Sequence, residues 1–201
     1  MAQSSNRKRL QRFEGQGHLH ELTFSCQGRR QLLRCEVSRK ILSRHLTNAC
    51  VSENFGLVAF VFMPEHVHLL VLPQLPQAKT GRLLARLKQP ASKDIKELLL
   101  QNGSPLVDEL TVEERSGKNC FRFWQAGAGF DRNIYSASAL EASLNYIHMN
   151  PVTRRLCQKC TDWKWSSARY YLSGIIDPDL PPITHVESNW LNGFGEQYEA
   201  V

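Results

Sequence analysis

The sequence predicts an α/β protein, a ferredoxin-like sandwich with a central antiparallel sheet and helices on one face. Three observations predict it. Runs of β-forming residues alternate with longer stretches of helical periodicity in the order β-α-β-β-α-β-α. The two middle runs are joined by three residues, Met63-Pro64-Glu65, so they must be antiparallel. The hydrophobic share, 42% of 201 residues, suits a chain that buries one core. A single domain is expected over residues 17–172, between a basic arm at 1–16 and an acidic tail at 173–201.

His18 to Cys26 (HLHELTFSC) alternates and is rich in β-formers, so it reads as the first strand. Arg29 to Cys50 places Leu32, Leu33, Val37, Ile41, Leu42 and Leu46 at helical spacing. Phe55 to Phe62 (FGLVAFVF) is a buried strand, and His66 to Leu72 (HVHLLVL) returns beside it. Lys79 to Leu100 reads as a helix broken at Pro90. Residues 102–119 are polar and read as an irregular surface insertion. The end of Phe121 to Ile134 reads as another strand. Ser138 to Asn150 reads as a helix, with Ser138 and Glu141 forming a capping box and Pro151 ending it. Trp163, Trp165, Tyr170 and Tyr171 beyond it suit packing or aromatic platforms.

Charge is unevenly spread. The formal net charge is +6, yet residues 170–201 hold no Lys or Arg and five acids. Residues 1–169 therefore carry 25 bases against 14 acids, a net +11. Such a body suits a polyanionic partner. The first twelve residues (MAQSSNRKRLQR) fit either a solvated tail or a loose phosphate contact. No apolar run reaches the ~20 residues of a membrane span. The basic N-terminus is not followed by the apolar core of a signal peptide, so a cytoplasmic location is expected. The six cysteines are then expected as free thiols. Cys157-x-x-Cys160 lacks the second ligand pair that structural zinc requires.

Two segments carry chemistry. In His66-Val67-His68 the strand period of two puts both imidazoles on one face and Val67 on the other, so two nitrogens can meet one metal. His18-Leu19-His20 has the same spacing but sits at the start of its strand, where fraying is expected. In Asn145 to Pro151 (NYIHMNP), Tyr146 and Asn150 are four residues apart and share a helix face. Tyr146 there can attack a phosphorus, and the Asn150 side-chain oxygen can be a third metal ligand. His148 lies on the other side of that helix and suits a DNA contact, a carbonyl cap or a catalytic role.

Taken together these strings resemble a known family. Phe62-Met63-Pro64-Glu65-His66-Val67-His68-Leu69-Leu70 resembles the metal motif of HUH-type single-tyrosine transposases. Tyr146-Ile147-His148-Met149-Asn150-Pro151-Val152 resembles the tyrosine motif of one branch, the REP-associated tyrosine transposases. Phe123-Trp124-Gln125, Phe130-Asp131-Arg132 and Trp165-Ser166-Ser167-Ala168 match as well, over about residues 17 to 172. The resemblance implies His66, His68 and Asn150 as ligands of Mg²⁺ or Mn²⁺ and Tyr146 as the nucleophile. It also implies single-stranded or hairpin DNA as the substrate and a 5′-phosphotyrosine as the intermediate.

For such a substrate, Arg29, Arg30, Lys79, Arg82, Arg86 and Arg132 are candidate backbone contacts, Arg132 first because it stands in a matched motif. Trp124 or Phe130 would stack on a base. A monomer and a homodimer are both compatible with the sequence, as are an active strand transferase and a module that only binds DNA. Two regions depart from the family pattern. Residues 102–119 are longer and more polar than expected. The acidic residues 173–201 have no counterpart, and suit either a segment folded over the basic surface or a solvated end.

Overall fold

The computed structural model describes residues 17–114, 117–127 and 129–186. The basic arm at 1–16 lies outside the described residues, as do 187–201 of the acidic tail. The chain forms β1 (Leu19–Ser25), α1 (Glu36–Glu53), β2 (Phe55–Phe62), β3 (His66–Pro73) and α2 (Thr80–Gln101). There follow α3 (Leu106–Glu109), β4 (Thr111–Glu113), β5 (Asn119–Phe121), β6 (Phe130–Ile134), α4 (Ala137–Thr153) and α5 (Ala168–Ser173). The main sheet has the order β2-β3-β1-β6, with every neighbouring pair antiparallel.

Alternation along the strands feeds two apolar layers. Leu22, Phe24, Phe60, Phe62, Val67, Leu69 and Val71 bury their side chains with Leu42 and Leu46 of α1 and Leu83 and Leu87 of α2. That is the expected helical face. The opposite face is also covered: Leu19, Val61, Leu70 and Ile134 pack with Ile147 of α4, and Leu140 and Leu144 join them. The second layer places the α4 helix over the face from which His66 and His68 project.

Several boundaries differ from the sequence expectation for local reasons. The first helix starts at Glu36, not Arg29, because Gly28 and Arg29 turn the chain with φ of 61° and 55°. Asn54, at φ 58°, ends that helix in the left-handed conformation. Pro90 does not break α2, which runs through it for 22 residues. Pro151 lies in the last turn of α4 rather than after it. Ser136, not Ser138, caps α4, accepting a bond from the Ala139 N–H at 3.2 Å. Within the 102–119 segment the described residues form α3 and the paired strands β4 and β5, beside the fully buried Leu110.

The first part of the acidic tail is packed too. Thr184 donates its N–H to the Leu57 carbonyl of edge strand β2 at 2.7 Å, and Leu180 and Ile183 pack against the larger apolar cluster. Asp179 meets Lys40 at 3.1 Å and Lys164 at 2.7 Å. Thr184, with Trp165 and Ser167 further along, thus occupies backbone groups on the outer edge of β2. Among the described residues no helix is long and apolar enough to cross a membrane.

Candidate active site

The register of β3 against β1 sets the geometry. Ser25 pairs with His66 and Thr23 with His68, so both imidazoles leave the sheet on the α4 side while Val67 enters the other layer. Both histidines are only 4% exposed. Their Nε2 atoms face each other at 2.9 Å, with ring planes at 90°. Each ring is held from behind: His66 Nδ1 meets Glu65 Oε1 at 3.0 Å, and His68 Nδ1 meets Thr23 Oγ1 at 2.8 Å. Such anchoring aims an imidazole and fixes its tautomer.

Helix α4 brings its residues to the same point. Asn150, buried, places its amide nitrogen 3.2 Å from His68 Nε2, while its Oδ1 has no hydrogen-bond partner. The assignment of amide O and N follows from the bonding network, so either end can face the histidines. One turn earlier, Tyr146 is 51% exposed and sets its ring edge-on to His68, with centroids 5.2 Å apart. The four side chains singled out in the sequence therefore converge.

The donor set suits a divalent ion. Two bonds of ~2.1 Å meeting at a right angle hold their donors ~3 Å apart, which the facing Nε2 atoms match. Burial pushes His68 down to about 3, helped by His66 and Arg154. Burial also lowers His66, against the opposing pull of Glu65. Both rings are thus neutral, the form that ligates a metal. Among the described residues no three His, Cys, Asp or Glu side chains gather to hold an ion, so the third donor here would be the Asn150 amide oxygen.

Three residues around the site were not singled out from the sequence. Arg154 reaches Glu65 at 3.6 Å and disfavours protonation of both histidines. It continues the spacing Tyr146, Asn150, Arg154 along one face of α4, a signal that was available. Glu65, next to His66 in the chain, and Thr23 are the ring anchors. Thr23 has no sequence signal until the strand register is known.

The other candidates separate. Arg29 lies close enough to disfavour His66 protonation. Arg82 is exposed on α2. Arg30 pairs with Glu109, and Arg86 with Glu53 at 3.2 Å. Arg132 binds Glu21 at 2.5 Å and Ser143 at 2.9 Å, tying β6 to β1 and α4. Phe130 is 43% exposed and open to a base.

Three expectations are corrected. Trp124 is no open platform: it is 6% exposed, packs against Phe24 and Phe123, and donates its indole N–H to the Lys88 carbonyl. His148 is 8% exposed and bonds to Ser167 Oγ at 2.9 Å, so it packs α4 against the segment before α5 rather than meeting DNA. The His18–His20 pair is buried, not frayed. His20 Nδ1 meets Asp131 at 2.9 Å, and Thr80 donates to the same carboxylate at 2.9 Å.

Comparison with known proteins bears on this arrangement. Residues 16–107 match the model of the IS200-like transposases, a span that holds His66 and His68 but ends before Tyr146 and Asn150. No curated protein matches the chain. Among solved structures, a REP-associated tyrosine transposase bound to a REP hairpin is similar at 17% identity. It covers 90% of this chain and 96% of its own, with a TM-score of 0.62. A Deinococcus radiodurans R1 protein assigned as a transposase is 19% identical over 73% of this chain and 96% of its own, at a TM-score of 0.42. The first likeness establishes that the two chains share a fold.

Proposed function

We propose that this chain, whose residues 16–107 match the IS200-like transposase model, cuts and rejoins single-stranded or hairpin DNA through Tyr146. His66, His68 and Asn150 would hold the divalent ion, Mg²⁺ or Mn²⁺. The observation that carries this reading is the meeting of Tyr146 and Asn150, one helical turn apart, on the single imidazole of His68. The hairpin held by the structurally similar transposase supports DNA of that form as the substrate.

The chain's own residues account for the chemistry. A phenol is a weak nucleophile at neutral pH, so its target must be activated. A bound divalent ion supplies this by drawing charge from the scissile phosphate. Tyr146 is fixed by its helix on one side of that position and stays open to solvent, so its oxygen can reach a phosphorus and its proton can leave to water. A bond forms from the Tyr146 oxygen to phosphorus, and the bond to the 3′ oxygen breaks. The departing 3′ oxygen takes up a proton. The phosphotyrosine keeps the energy of the broken ester, so a 3′ hydroxyl can reverse the step on a new strand without ATP.

The test is to mix the protein with hairpin-bearing single-stranded DNA and Mn²⁺ and to run a denaturing gel. A covalent protein–DNA adduct is expected, and it should be absent with Tyr146→Phe and without metal. Salt-sensitive binding with no adduct under any divalent ion would overturn the catalytic reading and leave a DNA-binding module.

A further inference from the structure

We infer that the groove between α2 and residues 120–127 is a second DNA-binding surface, one that takes an unpaired strand as it leaves the active site. This rests on the proposed activity on single-stranded DNA. The groove has a volume of about 620 Å³, and its walls carry Lys88, Lys93, Lys96 and Arg122 with no Asp or Glu among the lining residues. Arg122 is paired with Glu114 of the β4–β5 hairpin, which leaves the three lysines to meet an incoming charge. The floor is apolar, with Leu84 and Phe121 among its residues.

That combination selects the ligand. Three ammonium groups along one wall match a chain of phosphates, and releasing their counterions favours binding. Lys96 sits 5.7 Å from the centre of the Phe121 ring, so cation and aromatic face are presented together. An unpaired strand can lay bases on an apolar floor while its phosphates meet the lysines. A duplex turns its bases inward and cannot.

The groove also runs to the right place. Gln125, on its wall, donates its N–H to the Ser25 carbonyl at 2.8 Å, and Ser25 is the strand partner of His66. Two strand spacings, ~10 Å, therefore separate the Gln125 backbone from that of His66. The groove lies on the α2 face and the histidines on the α4 face, so a strand cut beside His66 and His68 would round the end of the sheet at Ser25 and Gln125 to enter it.

The experiment uses the full chain with Tyr146→Phe, so that binding is read without cleavage. Two hairpins are compared by fluorescence anisotropy, one blunt and one with an unpaired dT extension of about ten nucleotides, within the span of known single-strand sites. The extension is expected to tighten binding about tenfold. With Lys88→Gln, Lys93→Gln and Lys96→Gln combined, the ratio of the two affinities should fall to about one. The log–log salt slope for the extended hairpin should also shrink by about two, from three contacts at ~0.7 each. An affinity ratio unchanged by the lysine substitutions would overturn the inference, as would displacement of the extension by poly-glutamate as readily as by free dT. No binding of either hairpin would overturn the proposed function together with it.

Discussion

The Tyr146 ring meets the His68 imidazole edge-on, with centroids 5.2 Å apart and planes at 81°. Asn150, on the next turn of the same helix, approaches the Nε2 of that imidazole. One ring thus connects a solvent-open phenol with a buried amide whose Oδ1 has no partner. A buried oxygen left unbonded costs about 1–3 kcal/mol, and an ion placed between it and the two imidazoles would remove that cost. Asn150→Ala is therefore expected to weaken Mn²⁺ binding by at least about tenfold, on the scale of metal-site changes. Titration followed by the Mn²⁺ EPR signal checks this. Equal affinity in parent and variant would remove Asn150 from the site.

Thr23 acts one step further back. Its hydroxyl meets His68 Nδ1 at 2.8 Å across the β1–β3 pair. Thr23→Val keeps the shape and loses the hydrogen bond, so the ring is freed to turn and to change tautomer. Loss of such an anchor typically weakens metal binding by about 10–100-fold. Thr23→Ser should restore most of it, while melting temperatures of the three proteins stay close. Failure of Ser to rescue would mean that the methyl group, not the hydroxyl, matters.

Much of this geometry was legible in the sequence because it is local. A period of two put His66 and His68 together, and a period near four put Tyr146 and Asn150 together. The same period extends to Arg154. What was not legible depends on segments far apart in the chain. Arg132 finds Glu21 111 residues away, and Arg30 finds Glu109 79 residues away, so their charges are partly neutralised by partners the sequence cannot pair. Trp124 and His148 are polar-tipped side chains equally at home in a core or on a surface. Their polar tips meet the Lys88 carbonyl and the Ser167 hydroxyl, partners that come near only in the fold.

Gly129 couples the β6 entrance to the His66–His68 end of the sheet. Its φ is +76°, and a Cβ there would stand 2.1 Å from the Thr23 carbonyl oxygen. That oxygen belongs to the backbone of β1 and cannot swing away. Gly129→Ala is expected to cost at least about 2 kcal/mol of stability from strain and clash together. Because the push falls on Thr23, metal affinity should drop with it. Gly127 gives the comparison: its φ is +100°, but nothing lies within 4 Å of its Cβ position. Gly127→Ala should lose less stability and leave Mn²⁺ affinity unaltered, as read by urea unfolding and metal titration. Equal losses from the two substitutions would show that Gly129 has no special link to Thr23.

His148 makes stability depend on pH. Burial pushes it down to about 4, against 6.5 for the free side chain. Its Nε2 meets the Ser167 hydroxyl, which also receives the Phe60 N–H and donates to the Phe60 carbonyl. Between those two values the unfolded chain binds a proton that the folded chain does not. The stabilising contribution is therefore complete above about pH 6.5 and falls away as pH drops toward 4, with a ceiling of about 3 kcal/mol. His66 and His68 are depressed in the same direction and steepen the same acid limb. His148→Gln keeps a donor but removes the titration, so its melting temperature should fall less steeply than the parent's between pH 6.5 and 4. Parallel profiles for the two proteins would mean that the buried ring takes up its proton without cost, and that the packing of α4 on Ser167 tolerates a charge.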